Sequence, residues 1–128
     1  MSRQNIASGA PWEDIAAYSR AVKVGNVIYV SGTTGTDSQG KVTGDAYTQA
    51  SQTLKNIAAA LEQAGASLEQ VVRTRIFITN INDWQEVSRA HHDVFDAIRP
   101  ATTLLQVAGL IDPAMLVEIE AEAVISET

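Results

Sequence analysis

Apolar residues recur along this chain with two periods, and the switches between them mark out the elements. From Val71 to Asn80 the alternation has period two, placing Val72, Thr74, Ile76 and Ile78 on one face of a strand and Arg73, Arg75 and Phe77 on the other. The same period returns from Leu116 to Val124, where Val117, Ile119, Ala121 and Ala123 alternate with Glu118, Glu120 and Glu122. Pro100 opens another extended run, Ala101 to Ala108, with a turn at Asp112-Pro113 before the last strand. Two short β-prone runs, Ala21 to Val24 and Val27 to Ser31, flank Gly25-Asn26, a pair suited to a hairpin turn. Gly32, Gly35 and Gly40 with Asp37-Ser38 then mark a loop.

Helical spacing takes over between these strands. Asp45 is placed to cap a helix from about Ala46 to Ala64, with Tyr47, Ala50, Leu54, Ile57, Ala58 and Leu61 as its apolar stripe and Gly65 as its stop. Asn82 or Asp83 caps a second helix, roughly Trp84 to Ala97, whose stripe is Trp84, Val87, His91, Val94 and Ile98. Residues 1–17 carry no periodic signal and read as irregular. The order β-β-(β)-α-β-α-β-β predicts an α+β fold: one mixed sheet, covered on one face by two helices, in a single domain over residues 1–128. The other face then carries arginines and glutamates among apolar residues, a mixture that suits contact with another subunit.

Composition narrows the function. The chain has 128 residues, 45% of them hydrophobic, long enough to bury a substantial core. Its net charge is −6, with nine scattered basic residues, and its pI is near 4.7, which argues against a nucleic-acid surface. There are no cysteines, hence no disulfide, thiolate nucleophile or Cys-based metal site. With no apolar signal core near the N-terminus and no apolar run approaching the ~20 residues that span a bilayer, the expected location is cytoplasmic, away from membranes.

The three alternate glutamates of the last strand are the first candidates for chemistry. Arg73 and Arg75 share their face, so an ion ladder accounts for two carboxylates, assigned here to Glu120 and Glu122. Glu118, nearest the strand start, is left over as the candidate general acid/base. His91 falls on the apolar stripe and reads as a hydrogen-bonded core histidine, whereas His92 faces outward. Adjacent helical positions do not converge on one metal, so no metal site is expected. Ser31 and Gly32 offer a hydroxyl and amides that can hold a small polar ligand, or Ser31 can satisfy local backbone groups. Tyr18 and Arg20, two apart, project to one side if extended. Arg20 has a fork suited to carboxylates, and surface packing is its alternative role.

Ala17-Tyr18-Ser19-Arg20-Ala21-Val22 and Gly25-Asn26-Val27-Ile28-Tyr29-Val30-Ser31-Gly32 resemble the opening of the Rid family, the reactive intermediate deaminases also called YjgF-like. Gln49-Ala50, Leu54-Lys55-Asn56-Ile57, Val71 to Ile78, Pro100-Ala101 and Glu118-Ile119-Glu120-Ala121 extend the resemblance over nearly the whole chain. It implies a chorismate-mutase-like fold, with a single six-stranded sheet per subunit, and a homotrimer with a central barrel. It also implies small-molecule clefts between subunits, hydrolysis of amino-acid-derived enamines and imines, and no metal or organic cofactor. Carried over, Glu118 holds the attacking water, Tyr18 and Ser31 line the cleft, and a backbone group at Leu104 assists. Two positions depart from the family pattern. The arginine that binds the substrate carboxylate falls on Thr102, and the asparagine early in the second helix falls on Ser88.

A threonine cannot reproduce the charged, bidentate grip of a guanidinium. The sequence therefore predicts a hydrolase of a small imine, enamine or related polar metabolite, distinct from the standard 2-aminoacrylate deaminase. Arg20 or a neighbouring subunit's arginine replaces the grip, or Thr102 offers a neutral hydrogen bond. Arg99 is the poorer substitute, because an extended chain aims it away from Thr102. A trimer that binds a metabolite without turnover is the alternative, and a ribonuclease or translation inhibitor ranks third.

Overall fold

A computed structural model describes residues 2–126; Met1, Glu127 and Thr128, the ends of the expected 1–128 domain, lie outside the described residues. The strands are β1 (Arg3–Ile6), β2 (Ala21–Val24), β3 (Val27–Thr34), β4 (Val71–Ile78), β5 (Ala101–Gln106) and β6 (Val117–Val124). The helices are α1 (Pro11–Ala16), α2 (Ala46–Gln63) and α3 (Trp84–Phe95). All six strands form one sheet in the order β1-β2-β3-β6-β4-β5. Every pairing is antiparallel except β4 with β5, which the α3 crossover makes parallel. The α+β reading with a single six-stranded mixed sheet holds.

The long helices form where their patterns place them. Asp45 caps α2 by accepting from the Thr48 amide, and Ala50, Leu54, Ile57 and Leu61 are buried. They pack on Ile28, Val30, Ile76, Ile78, Val117 and Ile119 of the sheet, which makes the core. Two polar residues of α2 fix the strands that frame Glu118. The buried Gln49 donates to the carbonyls of Gly44 and Ala114 and accepts from the Leu116 amide, which ties the entry of β6 to the helix. Asn56 donates to the carbonyls of Thr34 and Thr36 and ties down the end of β3.

Five expectations need correction. Residues 1–17 are not irregular: β1 adds to the sheet edge beside β2, and Pro11 starts the short helix α1. The third strand ahead of α2 therefore precedes the hairpin. The hairpin itself turns at Gly25, whose φ of 60° suits glycine. Asp83 makes no side-chain cap to α3; Asn80 instead accepts from the Asn82 amide in a preceding 3₁₀ turn. Val72 is exposed and Val71 is buried, because a register shift between Val71 and Arg73 against β6 moves the core parity by one residue. Ser31-Gly32 does not end its strand: β3 runs on to Thr34, and the two residues bulge out between Val30 and Thr33.

The sheet therefore has unlike faces. Thr74, Ile76, Ile119 and Ala121 look toward the helices. Tyr29, Glu118, Glu120, Glu122, Arg73, Arg75, Phe77 and Leu105 occupy the face opposite, where Tyr29 is 51% exposed.

Candidate functional site

The bulge in β3 creates the setting of Glu118. Beyond it Thr34 lies across from Glu118, and on the other side Glu118 lies across from Phe77 of β4. The carboxylate rests on the bare Cα of Gly32: a methyl there would lie 2.5 Å from Glu118 Oε2 and 2.9 Å from Cδ. Burial pushes the Glu118 carboxyl above its ordinary value, the nearby Glu120 adds to the rise, and the Arg20 charge partly offsets it.

The ion ladder beside it leaves Glu118 out, as expected. Among the described residues Arg75 alone reaches both carboxylates, Glu120 at 3.6 Å and Glu122 at 3.1 Å. Arg73 lies across from Glu122 but, among the described residues, enters no ion pair, which corrects its place in the ladder. Its strand is displaced by the bulge at Val72, and Arg75 has already taken Glu122.

Tyr18, Arg20, Ser31 and Gly32 gather at the bulge on which Glu118 rests. The Arg20 fork donates from Nη1 to the Gly32 carbonyl at 2.6 Å and to Thr33 Oγ1 at 3.1 Å, and from Nη2 to the Tyr18 hydroxyl at 3.2 Å. Ser31 Oγ donates to the Ser19 carbonyl at 2.7 Å, the local backbone role rather than a free hydroxyl. A further member had no signal in the sequence. Glu13, only 6% exposed on the otherwise exposed α1, sits 3.7 Å from Arg20 Nε and accepts from the amide and hydroxyl of Ser8.

Ser88, Thr102 and Leu104 lie elsewhere, in an open pocket of about 250 Å3 between α3 and β5, on the helix side of the sheet. Thr74 Oγ1 stands between Thr102 Oγ1 at 2.8 Å and His91 Nε2 at 2.9 Å. His91 also stacks on Phe95, with centroids 4.5 Å apart, and burial lowers its pKa, which favours the neutral ring. This hydroxyl–hydroxyl–imidazole chain can run in either direction. Thr102 also donates to the Pro100 carbonyl at 3.3 Å, so it offers a ligand a lone pair, or its proton in exchange for that long bond, a neutral and adaptable contact. His92 is exposed and meets Asp96 at 3.3 Å, and among the described residues no group of side chains could hold a metal ion.

Arg99 corrects the extended-chain argument. Its φ is 57°, so the chain is not extended there, and Arg99 lines the same pocket as Thr102. It is held at the rim by Asp96, at 2.8 Å to the carboxylate and 2.6 Å to the carbonyl. A left-handed non-glycine residue carries no period or composition signal, so the sequence could not reveal this.

Within one chain the two groups face apart. Thr102 lies across from Thr74, on the helix side, and Glu118 lies across from Phe77, on the other.

Comparison with known proteins agrees with this architecture. Residues 9–125 match the family described as Endoribonuclease L-PSP. A rat 2-iminobutanoate/2-iminopropanoate deaminase is 41% identical over 124 residues, 95% of this chain and 90% of the rat protein. The crystal structure of Rv2704 from Mycobacterium tuberculosis, described as a member of the highly conserved YjgF/YER057c/UK114 family, superposes with a TM-score of 0.90 at 45% identity, covering 97% of this chain and all of that one. TdcF from E. coli, solved with bound serine, superposes with a TM-score of 0.81 at 28% identity over 95% of this chain and 94% of its own. Among the described residues no helix is long and apolar enough to cross a membrane. On this evidence the chain belongs to the Rid (YjgF-like) family.

Proposed function

We propose that the protein is a cofactor-independent hydrolase of a small imine, enamine or related polar metabolite, acting in clefts between the subunits of a homotrimer. The observation that carries this reading is the Glu118 carboxylate. It stays out of the Arg75 ladder, rests on Gly32, and has a raised pKa. Such a group can orient water as a carboxylate, take its proton as water adds to the C=N carbon, and deliver that proton to the nitrogen that leaves as ammonia.

The two faces support the trimer. Glu118 with Tyr18, and the pocket with Ser88, Thr102 and Leu104, lie on opposite sides of one sheet, so one protomer's Glu118 side meets its neighbour's pocket to complete a cleft. The helix-free face, with Tyr29, Leu105 and the charged rows, packs around the central barrel. Thr102 replaces the family's carboxylate clamp with the neutral hydroxyl chain to His91, so the preferred substrate presents a neutral polar group at that end.

Ammonia release from imines generated in situ tests this reading. Little acceleration is expected with 2-iminopropanoate and more with its amide, and Glu118→Gln abolishes both. Rapid turnover that survives Glu118→Gln would overturn the mechanism. The neutral hydroxyl at position 102 also favours a second reading, a trimer that holds a metabolite unchanged. A compound that raises the melting temperature and is recovered intact supports binding; a converted compound supports catalysis. Ribonuclease action ranks third because the net charge of −6 opposes a polyanion.

A further inference from the structure

Arg20 has five N–H donors, and their disposition decides its role. A bidentate clamp presents two parallel N–H groups from one edge of the fork to a carboxylate. One edge ends in Nη1, which is committed to Gly32 and Thr33. The other ends in Nε, which is buried without a hydrogen bond and looks toward Glu13 at 3.7 Å. The side chain is 12% exposed. Neither edge is open to a ligand.

What the fork does hold is the bulge. Its shortest bond, 2.6 Å, goes to the carbonyl of Gly32, the residue whose bare Cα supports the Glu118 carboxylate. Glu13 stands behind it as a buried counter-charge, fixed by two bonds from Ser8. Removing one member of such a pair leaves a buried charge uncompensated, so the pair acts as a unit.

We infer that Arg20 is a positioning residue for Glu118 rather than a substrate ligand, and that Glu13 of α1 is its buried counter-charge. The α1 segment thereby becomes part of the site without touching substrate. The inference rests on Glu118 being the working carboxylate. The charges around that carboxylate are few. Glu120 shares its strand, Arg75 stands beyond Glu120 on β4, Arg20 lies behind the β3 bulge with Glu13 behind it, and Phe77 and Thr34, directly across, carry none.

Titration of Glu118 by carboxyl 13C NMR tests the inference without requiring turnover. Arg20→Gln removes the positive charge and raises the Glu118 pKa. Glu13→Gln leaves that charge uncompensated and lowers it. The double variant Glu13→Gln/Arg20→Gln leaves no unpaired charge, keeps the fold, and shifts Glu118 upward. Opposite shifts from the two single variants are a signature that general loosening does not produce. An unmoved Glu118 in the double variant, or shifts of the same sign in the two singles, overturns the inference. Where the wild type turns over an imine, Arg20→Gln lowers kcat at least tenfold and moves the acid limb of the rate profile to higher pH, with KM within threefold. A tenfold rise in KM at unchanged kcat would make Arg20 a substrate ligand instead. Absence of turnover in the wild type would defeat the hydrolase reading and leave the NMR result to decide this one.

Discussion

The contact between Gly32 and Glu118 allows a substitution that damages function while sparing the fold. In Gly32→Ala the new methyl would lie 2.5 Å from Oε2, 2.9 Å from Cδ and 3.3 Å from Cγ of Glu118. Ordinary contact begins at 3.4 Å, so the carboxylate must retreat by nearly an ångström. The displaced atoms are the end of a flexible side chain, and the glycine itself does not have a left-handed φ. The cost to stability is therefore within about 1 kcal/mol. The cost to chemistry is larger, because a misplacement of about 1 Å in a reacting group lowers rates by roughly 100-fold. Calorimetry and ammonia release on the same preparation separate the two. The expected result is a melting temperature within a few degrees of wild type and a kcat down by about two orders of magnitude. An alanine variant that keeps the full Glu118-dependent rate would show that the carboxylate works from somewhere other than its seat on Gly32.

Other variants probe stability. Glu118 holds its proton more tightly folded than unfolded, so its ionisation opposes folding above the folded pKa, and that penalty is relieved as pH falls through it. Glu118→Gln therefore melts higher than wild type at neutral pH, and the gap closes on acidification; thermal unfolding across pH reads this directly. Ala17, exposed at the end of α1 with φ of 61°, is a left-handed cap that glycine fills without strain. Ala17→Gly should stabilise by about 0.5–1 kcal/mol, raising the melting temperature by roughly 2–4 °C. Arg75→Ala removes two ion pairs on a half-exposed face. It costs about 1 kcal/mol in a free subunit and, where that face lines a barrel, weakens the trimer as seen by sedimentation.

The alternation in β4 and β6, the stripe of α2 and the Asn-containing hairpin turn were legible because burial imposes a period on sequence. Glu118 stands outside the ion ladder as expected, but not for the reason given: Arg75 alone, among the described residues, holds both Glu120 and Glu122, and Arg73 holds neither. What escaped were local breaks in period. β1 reads Arg-Gln-Asn-Ile and buries a single residue, so it shows no alternation. The bulges at Val72 and at Ser31-Gly32 exchange the faces of a strand without changing its composition. The same kind of irregularity hid the site's wider membership. Arg99 reaches its pocket only through a left-handed backbone, and Glu13 is buried by contacts with Ser8 and Arg20 that no spacing rule anticipates.

In the proposed trimer, the placement of Glu118 and Thr102 on opposite sides of one sheet makes each copy dependent on its neighbours. Two inactive parents, one carrying Glu118→Gln and the other a Thr102→Trp pocket block, should rescue each other when unfolded together and refolded. Random assembly gives roughly a quarter of the clefts one intact half from each parent. By the same dependence, a copy damaged in both halves silences two clefts, each half-built from a healthy neighbour, so inactivation spreads beyond the damaged chain.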